Sequence, residues 1–136
     1  MDDFGVRRGP SFAPCRTGFY LLLRYKRVDA NEYQQESMRT AAPNESLEDS
    51  LTAAALGIAG EAGEIVEHIK KYRYHGHDLD YTALAEEIGD LLWYAAYLCS
   101  VCNFELEAIM VENVMKLKAR YPVAFSQKAS RNRNPE

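Results

Sequence analysis

Apolar residues recur at steps of three and four through the middle of the chain, the period of one face of an α-helix. Leu51, Ala55, Ile58, Ala62, Ile65 and Ile69 form one such line, and Leu84, Ile88, Leu91, Leu92, Ala95, Cys99 and Cys102 form another. The first line predicts a helix that starts near Ser46, whose hydroxyl and Asp49 resemble a capping box, and runs to about Tyr74. Gly76 stops it, Asp80 caps the next helix, and that helix reaches about Cys102. A short helix from Asn31 to about Thr40 precedes the pair and ends at Ala41-Ala42-Pro43-Asn44. A fourth, capped by Asn103 with Glu105 and Glu107 in its first turn, ends before Pro122. No run of alternating β-branched residues reads as a strand. The predicted fold is all-α, an antiparallel helical hairpin with extra helices.

The flanks are different. Residues 1–30 are irregular and basic, broken by Gly5, Gly9, Pro10, Pro14 and Gly18 and carrying Arg7, Arg8, Arg16, Arg24, Lys26 and Arg27. They read as an N-terminal extension of unknown role, either an arm on a partner or a mobile segment. The periodic domain occupies 31–122, and 123–136 reads as a polar, disordered tail. The chain has 136 residues, enough for one domain that needs no disulfide staple. A net charge of −4 argues against a binder of polymeric nucleic acid or of an anionic membrane. No apolar run reaches the roughly 20 residues of a membrane span. Three cysteines make no disulfide framework and fit a reducing, cytoplasmic setting. Cys99-Ser-Val-Cys102 falls on the apolar line and reads as core, with no second ligand pair for zinc.

Two acidic pairs carry the chemistry: Glu61-Ala-Gly-Glu64 and Glu87-Ile-Gly-Asp90. The i, i+3 spacing puts both carboxylates of a pair on one helix surface, beside the apolar stripe. Glu64 lies about 12 residues before Gly76 and Glu87 about 11 after it, so antiparallel packing brings the pairs to similar heights. Four carboxylates then converge at the edge of one helix–helix interface. Like charges in partly dry surroundings repel, and a hard divalent cation such as Mg²⁺ or Mn²⁺ neutralises an all-oxygen set. Gly57, Gly60, Gly63 and Gly89 stand beside the acids. Each costs about 1 kcal/mol against alanine inside a helix, so the pattern keeps space for a ligand or for close helix approach. A ferritin-like di-iron centre needs histidine three residues after glutamate. His68 follows Glu64 by four, and neither His75 nor His77 has a glutamate three before it, which disfavours that chemistry.

The run Leu56-Gly-Ile-Ala-Gly-Glu-Ala-Gly-Glu-Ile65, then Lys70-Lys71, Glu86-Glu-Ile-Gly-Asp-Leu-Leu-Trp-Tyr94 and Asn113-Val-Met-Lys-Leu-Lys-Ala-Arg-Tyr-Pro122 resembles the MazG-like nucleotide pyrophosphohydrolases. Their pattern is E-x-x-E, a spacer, then E-x-x-D. Weaker likeness begins at Tyr33-Gln34 and includes Arg39-Thr-Ala41, so it covers roughly residues 33–122. The resemblance implies a helical enzyme that cleaves a nucleoside triphosphate between its α and β phosphates, giving a monophosphate and pyrophosphate. It also implies Glu61, Glu64, Glu87 and Asp90 as ligands of Mg²⁺ (or Mn²⁺), with two or more ions per site. Relatives assemble as homodimers or homotetramers around a four-helix bundle, with a base pocket often shared between subunits. Many relatives carry an extra glutamate where Gly60 stands here. The proton acceptor therefore stays open between the metal, one of the four acids, and Glu86.

Asn113, Lys116 and Arg120 share one side of the fourth helix. Spacing alone describes a solvated, cationic helix end; the resemblance makes them phosphate contacts. Lys70 and Lys71 read as surface lysines. Tyr94, four residues past Asp90, is a candidate to stack on a base, with core or interface packing as the equal alternative. Trp93 is a second base candidate but reads better as an interface residue. Aromatic stacking leans weakly towards a purine such as dGTP. Two other readings stay open: a dUTP- or dCTP-specific member that sanitises the nucleotide pool, and a non-catalytic helical interaction module. Trp93, Tyr94, Tyr97 and Leu98 surround the third helix, more apolar surface than a hairpin and a short helix can cover, which predicts a symmetric oligomer.

Overall fold

Short polar side chains open the first three helices by taking up amide hydrogens that have no partner in the first turn. Asp29 accepts from the Glu32 N–H at 2.8 Å and starts α1 (Ala30–Met38). Ser46 accepts from the Asp49 N–H at 3.0 Å while its own hydroxyl donates to the Asp49 carboxylate, and α2 (Leu47–Tyr74) follows. Asp80 accepts from Thr82 and Ala83 and starts α3 (Tyr81–Val101). The computed structural model describes residues 28–43 and 46–131. Most of the extension expected at 1–30, and the tail beyond 131, lie outside the described residues. Within them the chain is all-helical, completed by α4 (Leu106–Arg120) and α5 (Gln127–Arg131). Residues 127–131 are thus helical where the sequence reads as a structureless tail.

α2 and α3 pack side by side as the expected antiparallel hairpin, turning at Gly76, whose φ of 72° is the left-handed value that glycine adopts freely. At one crossing the two helices are very close. The Tyr94 ring of α3 lies directly over Gly57 of α2, and a methyl group there would fall inside the ring. Gly60, Gly63 and Gly89 have open space where a side chain would go. Close approach therefore explains one glycine of the four.

α1 lies across α3 and clasps three elements together. Trp93 donates its indole N–H to the Ser37 carbonyl at 3.0 Å and to the Thr40 hydroxyl at 2.9 Å. Gln34 donates to the Ser100 hydroxyl and to the Phe104 carbonyl, both at 2.9 Å, and accepts from the Leu106 N–H at 2.8 Å. Asn31 accepts from the Glu107 N–H at 3.3 Å. The first turn of α4 is thus capped by α1, whereas Glu105, its own N-cap residue, makes no side-chain cap.

Asn103 does not cap α4, as its position predicts. It sits at φ 56° and closes α3, its N–H bonding the Ser100 carbonyl while the Phe104 N–H bonds the Cys99 carbonyl. This is the Schellman ending, and asparagine serves in it because it tolerates the left-handed region better than other side chains.

The core is small. Ala54 and Ala96 are fully buried and Tyr97 nearly so, whereas Ile69, Ile88 and Leu92, predicted to be covered, are 43–52% exposed. One hairpin partner covers one face of each long helix, and α1 covers one more face of α3 alone. Among the described residues no single helix is long and apolar enough to cross a membrane.

The Tyr94 contact gives a stability test. Gly57→Ala should destabilise the fold by up to ~2 kcal/mol, because overpacking (~1–3 kcal/mol) outweighs the helix-propensity gain of ~1 kcal/mol. Gly63→Ala, with open space, should stabilise by ~0.5–1 kcal/mol. Urea unfolding of the two variants checks the opposite signs.

Candidate metal centre

The two acidic pairs meet across the α2/α3 seam. Glu61 from α2 and Glu87 and Asp90 from α3 each present a carboxylate oxygen within 4.8 Å of the others. Glu61 and Glu87 are half-buried and Asp90 is exposed. Glu64, the fourth expected acid, is exposed and stands outside this set, although its charge still reaches Glu61. Partial withdrawal from water pushes the Glu61 carboxyl above its usual range. The charges of Asp90, Glu64 and Glu87 and a hydrogen bond with Glu87 push it the same way.

The donor set fits a hard divalent cation. Oxygens held at about 2.1 Å from a Mg²⁺ ion lie at most about 4.2 Å apart across an octahedron. A trio within 4.8 Å needs only a sub-ångström contraction to close on such an ion. All the ligands are carboxylates, the type that suits Mg²⁺ or Mn²⁺.

Two further residues border the acids and were not singled out from the sequence as part of the site. The His68 Nε2 lies 3.6 Å from a Glu87 oxygen, a contact that is ionic when the ring carries a proton. The signal was present, since His68 follows Glu61 by seven residues and so lies on the same helix face. The Tyr33 hydroxyl reaches the Gly89 carbonyl at 3.4 Å, so α1 touches α3 between the two acids of the second pair.

The remaining candidates are placed as follows. Glu86 is exposed on α3. Tyr94 is half-buried, with its ring over Gly57 and edge-on to Trp93 at 4.9 Å. Trp93, expected at a subunit interface, is held within the chain by α1 and stacks on Tyr97 at 5.5 Å. Lys70 and Lys71 both turn to Glu67, and chiefly the Lys70 hydrogen bond holds that carboxyl below its usual range. Cys99 and Cys102 are half-buried free thiols, and burial pushes Cys99 upward. His75 and His77 are exposed in the hairpin turn. Asn113, Lys116 and Arg120 lie on α4, which turns 105° away from α3, and the structure does not bring them to the acids of the same chain.

The hairpin and its seam define an all-helical protein with three carboxylates gathered between its two long helices. Residues 49–125 match the model of the MazG nucleotide pyrophosphohydrolase domain, which covers more than half of the chain and both acidic pairs. The chain belongs to that family. It is also similar to the Gene 37 protein of Mycobacterium phage L5, with 30% identity over 92 residues, 62% of this chain and 78% of the phage protein. No solved structure matches the chain.

The raised Glu61 carboxyl has a measurable sign. Its native state binds the proton more tightly than the unfolded chain does. Stability therefore falls as pH rises from the ordinary carboxyl value, 4.5, through the raised one. Glu61→Gln, neutral throughout, should match the wild type in EDTA at acidic pH and exceed its melting temperature at neutral pH. Equal melting temperatures across the whole range would show that neither burial nor its neighbours disfavour the Glu61 charge in the folded chain.

Proposed function

We propose that the protein hydrolyses a nucleoside triphosphate between the α and β phosphates, releasing the monophosphate and pyrophosphate, with a divalent metal as cofactor. The observation that carries this reading is the carboxylate trio at the α2/α3 seam, inside the segment that matches the family. Glu61, Glu87 and Asp90 hold the cation, and Glu64 stands one helical turn away to hold a second or to complete the shell. A bound Mg²⁺ or Mn²⁺ supplies electrostatic stabilisation of the phosphate oxygens and a more acidic water.

The chain's own groups orient this site. Tyr33 and His68 fix the α3 backbone at Gly89 and the Glu87 carboxylate. Glu86 is the spare carboxylate for the proton, alongside the four acids. The purine lean rested on Tyr94 and Trp93. Both rings are half-buried within the chain, and a dUTP- or dCTP-directed activity is the alternative. A homodimer or homotetramer fits the exposed apolar residues, and a cytoplasmic setting fits the free thiols.

The decisive experiment presents each ribo- and deoxynucleoside triphosphate with Mg²⁺ and measures monophosphate and pyrophosphate. Activity should disappear in EDTA. Glu61→Gln, Glu87→Gln and Asp90→Asn should each lower turnover by at least ~100-fold, ~2.7 kcal/mol of transition-state stabilisation, with helicity retained. Glu64→Gln should do the same if it ligates. Full turnover without metal, or near-wild-type rates in two of the trio variants, would refute the reading. No release from any triphosphate would leave the interaction-module reading standing.

A further inference from the structure

Beside the clasp that α1 makes with α3 and α4 lies an open cleft of about 420 Å³, lined by Asn31, Gln34, Gln35 and Met38 of α1, Ser100 of α3, and Glu105. The amides of Asn31 and Gln34 are taken up by the clasp itself. Gln35 and Glu105 are exposed, and the Glu105 carboxylate caps nothing. The walls are chiefly apolar. Phe104 precedes Glu105, Met110 stands one turn beyond Leu106 and Glu107, and both are more than half exposed.

The surroundings are acidic. Glu105, Glu107 and Glu112 mark the start and first half of α4, with no cation before Lys116. Arg39, the one cation of α1 and its caps, stands at the far end and is held by Glu36. No residue of α3 from Leu91 to Val101 is charged. Apolar walls beside a negative rim suit a segment that is itself apolar and basic. The chain carries one immediately upstream: Phe19-Tyr-Leu-Leu-Leu23 is followed by Arg24, Tyr25, Lys26 and Arg27, and no acid stands between Asp3 and Asp29. Arg27 precedes Asn31 by four residues, so its Cα lies within about 14 Å of that of Asn31 whatever path the chain takes. Asn31 in turn bonds the Glu107 N–H. The tether holds the basic segment at the cleft at an effective concentration on the order of millimolar. The segment lies outside the residues that match the family.

We propose that residues 19–27 of the N-terminal extension dock on this cleft of their own chain. Arg24, Lys26 and Arg27 are drawn to Glu105 and Glu107, and the apolar run Phe19–Leu23 covers Met38, Phe104 and Met110. The occupant is this segment because its charge and its apolar run complement the cleft, and because its covalent connection delivers it to the end of α1 where the cleft opens. Glu107 can take part without losing its present bond. One carboxylate oxygen accepts from the Asn31 side-chain amide at 3.2 Å, which leaves the other for a cation. Docking ties the entry of α1 to the start of α4 and so reinforces the clasp. α1 also places the Tyr33 hydroxyl on the Gly89 carbonyl, so the extension steadies the helix that touches α3 between Glu87 and Asp90. The docking does not depend on the hydrolase reading.

The test uses the full chain and needs no activity. Zero-length carbodiimide coupling joins a lysine to a carboxylate, and Lys26 is the one lysine of the extension. It is applied to an equal mixture of unlabelled and heavy-nitrogen chains, with the mixing of any oligomers verified by native mass. Lys26 should join Glu105 or Glu107 in peptides of a single isotope, and Glu105→Gln/Glu107→Gln should abolish that product. Coupling of Lys26 to Asp29 or Glu32 alone, its neighbours in sequence, would overturn the docking. Mixed-isotope peptides would assign the segment to a neighbouring copy and overturn it too. A second readout is amide hydrogen exchange. Arg24→Glu/Lys26→Glu/Arg27→Glu should speed exchange in α1 and in the first turn of α4 by roughly 5- to 30-fold. Arg7→Glu/Arg8→Glu, outside the docking segment, should leave it unchanged. No acceleration in the first variant, or equal acceleration in both, would refute a specific contact.

Discussion

Glu61 repels Glu87 and Asp90 across the seam between α2 and α3, and the hairpin must hold them there against that repulsion. The restraint comes from ordinary packing a short distance away. The Tyr94 ring over Gly57 sets the distance between the helices, and the antiparallel register set by Gly76 sets the heights of the acids. The raised Glu61 carboxyl reflects first its partial withdrawal from water and then this repulsion. Carboxylates that repel one another in this way are the oxygen donors a divalent ion would draw together.

α1 links the fold to this site. It caps the first turn of α4 through Gln34 and Asn31, holds the Trp93 indole, and places the Tyr33 hydroxyl on the Gly89 carbonyl between Glu87 and Asp90. Buried and half-buried polar groups of this kind cost stability when one partner is removed, so a change in α1 is felt along the whole of α3. It also explains how a short helix with only Ser37 buried holds its position. Its side chains satisfy backbone groups of other elements, and its contribution is hydrogen bonding more than apolar area.

Apolar surface is abundant and sparsely covered. Few side chains are buried, whereas Leu56, Val66 and Ile69 of α2, Ile88 and Leu92 of α3 and most of α4 face outward. Exposed apolar surface of this extent, spread over consecutive helices, marks sites of association. It lies on the same helices as the acids.

Much of this was legible in the sequence, for a physical reason. Helix propensity, capping and the 3.6-residue period act over a few residues, so Ser46, Asp80, Gly76 and the lines from Leu51 and Leu84 marked α2 and α3 to within a residue or so. Matched distances from one turn placed Glu61, Glu87 and Asp90 together, because an antiparallel hairpin converts sequence separation into height. The failures were those where a residue's partner lies on another helix. Asn103 has the residue type of an N-cap, yet it ends α3, because Gln34 and Asn31 from α1 supply the caps of α4. The Trp93 hydrogen bonds to Ser37 and Thr40 join positions more than fifty residues apart, which no local pattern announces. Asn113, Lys116 and Arg120 share a helix face by spacing alone. The 105° turn after Val101, fixed by Asn103 and the α1 clasp, decides that this face leads away from the acids of its own chain. Local periodicity determined the helices and the carboxylate site; contacts between helices decided which side chains that site can reach.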